Sequence, residues 1–158
     1  MSSHDAPPPH PIGHSVAETL SKLVTRTAAS LIRSDSQVTL QVDIDESEPP
    51  ADASLIGLLV ESLVRAAIAE MPAGGELFIT GVQTEQGYEL EIADEGHPVA
   101  DRFQWRPLVA AKLGATLRWQ DCPQGGAAVT IRFPADADRD ASDRGGRVDQ
   151  NEVVRVAA

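Results

Sequence analysis

The chain has 158 residues, of which 42% are apolar, and this length predicts a single folded domain. With 24 acidic and 13 basic side chains its formal net charge is −11, which repels phosphate backbones and anionic lipid and excludes nucleic acid and membrane surfaces as expected partners. The single cysteine, Cys122, permits neither an intrachain disulfide nor a thiolate metal cluster, and no apolar run approaches the roughly 20 residues of a membrane span, so we expect a cytoplasmic protein.

The N-terminal part of the chain changes character after its first 13 residues. Four prolines lie within residues 1–13, and because proline disrupts both helices and central strands we predict a flexible leader there. Ser15 and Glu18 have the spacing of a capping box, which predicts a first helix from Ser15 to about Arg33. Between Val38 and Ile44 apolar and polar residues alternate, which predicts a half-buried strand.

A long apolar segment in the middle of the chain predicts a buried central helix. Asp52 is a suitable N-cap for a helix from about Ala53 to Met71. Almost every position between Leu55 and Ile68 is apolar, so most of the circumference of this helix should be covered by other elements. Pro72 and the two glycines that follow it closely end the helix.

The remaining predicted elements are strands and one short helix. A β-rich stretch from Glu76 to Val82 leads through a turn into the alternating segment that ends at Asp94, which predicts a hairpin. A short helix is predicted from Pro107 to Leu113, followed by a second strand pair at 116–120 and 127–133.

The predicted elements lie in residues 14–134, which we take as the folded domain. Residues 135–158 are rich in charged and small side chains and have too little apolar surface to offset the entropy of ordering, so an acidic disordered tail is predicted. The element order predicts an α+β fold, a two-layer sandwich with helices on one face of a mixed, mainly antiparallel sheet.

Several short motifs follow one another in a characteristic order. Asp52, the apolar helix and the turn Pro72-Ala73-Gly74-Gly75 are continuous, and the hairpin ends in Asp94-Glu95-Gly96-His97-Pro98. The closing segment contains Leu113-Gly114-Ala115-Thr116-Leu117, Gly125-Gly126 and Phe133-Pro134. In order and spacing these motifs resemble the ATP-binding domain of sensor histidine kinases, whose fold is shared by type II topoisomerases and a heat-shock chaperone. The resemblance spans about Val16 to Pro134.

The resemblance implies a nucleotide site that this sequence keeps only in part. In the family the aspartate corresponding to Asp94 accepts a hydrogen bond from the adenine amino group, and the glycine corresponding to Gly96 allows backbone to approach the base. The two asparagine positions of the central helix fall on Ser62 and Ala66. Magnesium needs oxygen ligands, so Ala66 predicts loss of the metal, and Pro98 replaces the second glycine of the family's box.

The segment that would cover the phosphates is short in this chain. Family members have tens of residues with a second glycine-rich motif there, whereas only His97 to Lys112 are available here. Arg102, Arg106 and Lys112 are expected to be solvated surface cations, although direct contact with an anion is an alternative. Glu61 and Arg65 are spaced as a surface ion pair on the central helix, which is a simpler role than that of a catalytic base.

These departures predict a degenerate, stand-alone relative of the kinase domain, a pseudokinase without catalytic residues or a metal site, which acts in two-component signalling by binding a signalling protein. His14 and its neighbours lack the acidic and proline residues of a phosphoacceptor motif. A second hypothesis is an ATP-binding protein kinase, of the histidine or anti-sigma serine type, that phosphorylates a partner in trans. A third is binding of a small ligand in the remnant pocket beside Asp94.

Overall fold

Five strands form one mixed sheet in the order β1-β2-β3-β5-β4. The computed structural model describes residues 18–102 and 106–135; the predicted leader and, apart from Ala135, the predicted tail lie outside these ranges. The strands are β1 (Val38–Asp43), β2 (Gly75–Thr84), β3 (Gly87–Asp94), β4 (Thr116–Asp121) and β5 (Ala127–Pro134). Strands β1 and β2 are parallel, and the other pairs are antiparallel.

Two long helices and two short ones complete the described chain. They are α1 (Leu20–Leu31), α2 (Ala53–Ala69), the five-residue α3 (Leu108–Lys112) and a short 3-10 helix at Val99–Asp101. Helix α1 packs on β1 and α2, whereas α2 packs on β3 and α3. This arrangement confirms the predicted α+β sandwich. None of the helices in residues 18–102 and 106–135 is long and apolar enough to cross a membrane.

The start of α1 differs from the prediction. Thr19 is the N-cap and its hydroxyl accepts a hydrogen bond from the amide of Lys22, so the helix begins at Leu20. Glu18 lies before the helix, and its carboxylate accepts two hydrogen bonds from Arg26, at 2.9 and 3.0 Å. Glu18 is therefore not in the first turn of a helix, as the predicted capping box required, because Thr19 is a suitable cap one residue later. Ser15 itself lies outside the described residues.

The N-terminus of α2 confirms its prediction. The carboxylate of Asp52 accepts a hydrogen bond of 2.9 Å from the amide of Leu55, which satisfies one of the free donors at the helix start. The core lies between α2 and the inner face of the sheet. Its largest fully buried side chains are aliphatic apart from Phe133 and include Leu20, Ile56, Leu59, Leu63, Leu77, Ile79, Leu90, Ile92 and Ile131.

The alternation along β3 decides which side chains face the helices. Leu90, Ile92 and Asp94 are buried, whereas Glu89, Glu91 and Ala93 between them are only partly covered. Because side chains alternate along a strand, Asp94 extends the apolar row that faces α2. A carboxylate thus occupies the last position of a core-facing row.

Candidate functional site

The site is centred on Asp94 at the C-terminal end of β3. Asp94 is the one polar or charged residue among the buried residues of the described chain. An ionised carboxylate in such a place requires hydrogen bonds and a compensating charge.

Arg102 provides that charge. Its Nη1 donates to Oδ2 of Asp94 at 2.8 Å and its Nη2 donates to Oδ1 at 2.9 Å, a bidentate pair. The side chains of Arg102 and Asp94 are only 2% and 3% exposed. Nη2 also donates to the carbonyl of His97. The expectation that Arg102 is a solvated surface cation was therefore wrong, because the buried carboxylate draws it into the protein.

The charge state of Arg102 follows from its neighbours. Burial by itself lowers the pKa of a guanidinium, but the hydrogen bonds to Asp94 and the negative charges of Asp94 and Glu70 together raise the pKa of Arg102 above its usual value. Arg102 is therefore a cation in the folded protein, and the pair is an ion pair.

The segment from His97 to Arg102 bridges three elements. The amide of Val99 donates to Oδ1 of Asp121 at the end of β4, at 2.7 Å. His97 is exposed, and its Nδ1 lies 2.9 Å from a carboxylate oxygen of Glu70 at the end of α2. Pro98 precedes the 3-10 helix. These contacts hold the segment across the end of the sheet, with Arg102 turned inward.

Two glycines permit the close packing around Asp94. The amide of Gly96 donates to Oδ1 of Asp94 at 2.9 Å. A Cβ atom at Gly96 would lie 2.6 Å from the carbonyl oxygen of Glu70, and one at Gly126 would lie 1.8 Å from the carbonyl oxygen of Asp94. Gly96 is therefore packed against the end of α2, and Gly126 against the backbone of Asp94.

Ser62 and Ala66 lie on the same face of α2 as Glu70, which contacts the segment after β3. Residues 62, 66 and 70 are spaced by four, so they share one helix face, and Glu70 contacts both Gly96 and His97. The hydroxyl of Ser62 donates to the carbonyl of Leu58 at 2.9 Å, within its own helix. In the described residues no group of three or more His, Cys, Asp or Glu side chains is placed to hold a metal ion.

The remaining charged candidates lie at the surface. Arg65 donates to Oε1 of Glu61 at 2.8 Å, and both side chains are exposed to solvent. This confirms the predicted i, i+4 ion pair. Arg106 and Lys112 are exposed, as expected of surface cations.

A separate cavity of about 190 Å³ lies beside the backbone of Asp94. Phe78 and Ala93 line it together with Cys122 and Pro123. Phe78 and Ala93 alternate with core-facing residues of their strands, so the cavity opens on the outer face of the sheet. The carboxylate of Asp94 is turned to the other face and engaged by Arg102, so it is not offered to a ligand in this cavity.

The thiol of Cys122 in this cavity should be unreactive. Burial and the negative charges of Asp94 and Glu91 raise the pKa of Cys122, whereas the positive charge of Arg102 lowers it to a smaller extent. Since the thiolate is the nucleophile, a raised pKa leaves less of it at pH 8. We expect iodoacetamide to alkylate the folded protein several-fold more slowly than the urea-unfolded chain, as followed by mass spectrometry. Equal rates would contradict this assignment.

Comparison with solved structures identifies the fold. The mycobacterial sensor histidine kinase MprB is 23% identical to this chain, with a TM-score of 0.59, over 73% of this chain and 95% of that one. The blue-light-activated histidine kinase EL346 of Erythrobacter litoralis is 19% identical, with a TM-score of 0.65, over 77% of this chain and 43% of that one. The ATP-binding domain of PrrB from Mycobacterium tuberculosis is 21% identical, with a TM-score of 0.54, over 74% and 94%.

The sequence matches no protein-family model and no curated protein, so its likeness to these kinases rests on structure. The order of the elements agrees with the predicted one, and these solved structures agree with the resemblance that the motifs indicated. The chain has the fold of the ATP-binding domains of histidine kinases.

Proposed function

We propose that this chain is a degenerate histidine kinase-like domain that acts in signal transduction by binding another signalling protein and does not transfer phosphate. The ion pair between Asp94 and Arg102 carries this proposal. The resemblance gives Asp94 the task of accepting a hydrogen bond from adenine. Here both of its oxygens already accept hydrogen bonds from a guanidinium that belongs to the same chain.

The phosphate end of the site supports the same proposal. Ala66 has only a methyl group where the resemblance places a metal-binding amide. The hydroxyl of Ser62 donates its hydrogen bond to a backbone carbonyl of α2. The residues present therefore do not fit a magnesium–triphosphate ligand. A fold can keep its core while the groups at its ligand site change, and the same fold can then serve to bind a protein instead.

Calorimetric titration of the full chain with ATP, in the presence and absence of magnesium, tests the proposal. We expect no saturable heat at millimolar ATP and no release of phosphate in a parallel assay. Cross-linking in the native cells, followed by mass spectrometry, is expected to identify a two-component signalling protein as the neighbour. Saturable, magnesium-dependent ATP binding would instead favour the protein kinase that phosphorylates a partner in trans.

A further inference from the structure

Both terminal nitrogens of the Arg102 guanidinium have hydrogen-bond acceptors. The two carboxylate oxygens of Asp94 face Nη1 and Nη2, and the carbonyl of His97 accepts a further hydrogen bond from Nη2. The amide of Gly96 holds Oδ1 of Asp94 in place from the other side. The arrangement has the form of a binding site for a planar group with parallel N–H donors.

Arg102, which occupies this site, is connected to the end of β3 by a short segment of chain. The segment's other polar ties are the hydrogen bond from Val99 to Asp121 and the contact of His97 with Glu70, and both involve exposed side chains. Nε of Arg102 is buried and has no hydrogen-bond partner among residues 18–102 and 106–135. The guanidinium is thus held by its two terminal nitrogens, as a separate small ligand would be.

We propose that Asp94, Gly96 and His97 form a binding site for a planar guanidinium or amidinium group, which Arg102 fills from within the chain and thereby closes to other ligands. Arg102 acts as an intramolecular competitor for any ligand that offers a pair of parallel N–H donors. This inference concerns the isolated chain and does not depend on a partner protein, so it goes beyond the proposed function.

Chemical rescue of Arg102→Ala tests the proposal. The variant leaves the carboxylate of Asp94 buried without its partner, and we expect its Tm to fall by about 10 °C. Methylguanidinium at millimolar concentration should enter the vacated site and raise the Tm of this variant by about 4 °C. It should leave the Tm of the natural chain unchanged, because Arg102 occupies the site there.

Matched controls separate site binding from general salt effects. Methylammonium has the same charge without the planar pair of donors, and it should give no rescue. Methylguanidinium should also give no rescue in a variant that carries both Asp94→Asn and Arg102→Ala. Equal effects of the two cations on a folded Arg102→Ala, or equal rescue of the double variant, would overturn the proposal.

A measurement on the natural chain covers the case in which Arg102→Ala does not fold. Nitrogen-15 NMR of the arginine side chains should show separate, slowly exchanging Nη–H signals for Arg102, because its terminal nitrogens are fixed by three hydrogen bonds. Arg26, which is 67% exposed, is the internal reference and should show averaged signals. Averaged signals for Arg102 as well would overturn the proposal. ATP binding by the natural chain would contradict the proposed function. Failure of methylguanidinium to stabilise Arg102→Ala would contradict only this inference.

Discussion

Asp94→Ala is expected to lower the free energy of unfolding by about 3–5 kcal/mol, because it leaves the buried guanidinium of Arg102 without its counter-charge. Urea unfolding at pH 7, followed by circular dichroism, measures this change as a shift of the midpoint. Asp94→Asn should cost less, since its side-chain oxygen still accepts the hydrogen bond from Gly96.

Glu61→Ala is the matched control for this variant. It also removes a carboxylate 2.8 Å from an arginine nitrogen, but that pair is exposed on α2. We expect it to change the free energy of unfolding by less than about 0.5 kcal/mol. If Asp94→Ala cost no more than Glu61→Ala, the Asp94 pair would not be buried as described.

A double variant with Asp94→Ala and Arg102→Met distinguishes loss of the pair from loss of one partner. Removing both charges takes away the uncompensated guanidinium, so the double variant should be more stable than Asp94→Ala alone. Additive losses from the two substitutions would show that the two side chains do not act as a unit.

Gly126→Ala is expected to lower the free energy of unfolding by about 3 kcal/mol or more. The added methyl group would lie 1.8 Å from the carbonyl oxygen of Asp94, and the residue has a φ of +81° that side chains rarely adopt. Both the overlap with backbone and the left-handed conformation oppose the substitution. Chemical denaturation gives the free energy, and the Nη–H signals of Arg102 report whether the displaced backbone of Asp94 also loosens the ion pair.

Gly125→Ala separates these two effects. Gly125 also has a positive φ, +105°, but an added Cβ would meet no atom of the described part of the chain within 4 Å. Only the conformational cost remains there, and we expect about 1–2 kcal/mol. A loss at Gly126 no larger than the loss at Gly125 would show that the contact with Asp94 has no energetic effect.

The elements that the sequence predicted well are those with a strong local signal. Helix α2 has an acidic cap at Asp52 and an apolar sequence, and it was predicted to within two residues at its C-terminal end. The strand alternation that ends at Asp94 predicted the hairpin, which the structure contains as β2 and β3. Helix α1 was predicted to begin too early, since Ser15 and Thr19 are both acceptable caps and the packing of Leu20 in the core favours the second.

The sequence predicted only part of the candidate site. Asp94 and Gly96 were identified from a motif, and their positions in the structure follow from strand alternation and a local turn. A clue to Arg102 was present: a buried carboxylate needs a positive partner, and Arg102 is the first cation after Asp94 in the sequence. The spacing of eight residues corresponds to no regular element, so no periodicity pointed to the pairing.

The amino-acid sequence alone determined the helices and strands of the layered fold, the apolar central helix and the carboxylate at the end of β3, because a local pattern of residues indicates each of them. Only the tertiary structure decided that the side chain of Arg102 is buried against Asp94. Its burial depends on how the segment after β3 crosses between α2 and β4, and the free energy of a charged side chain is set by the groups that surround it in space.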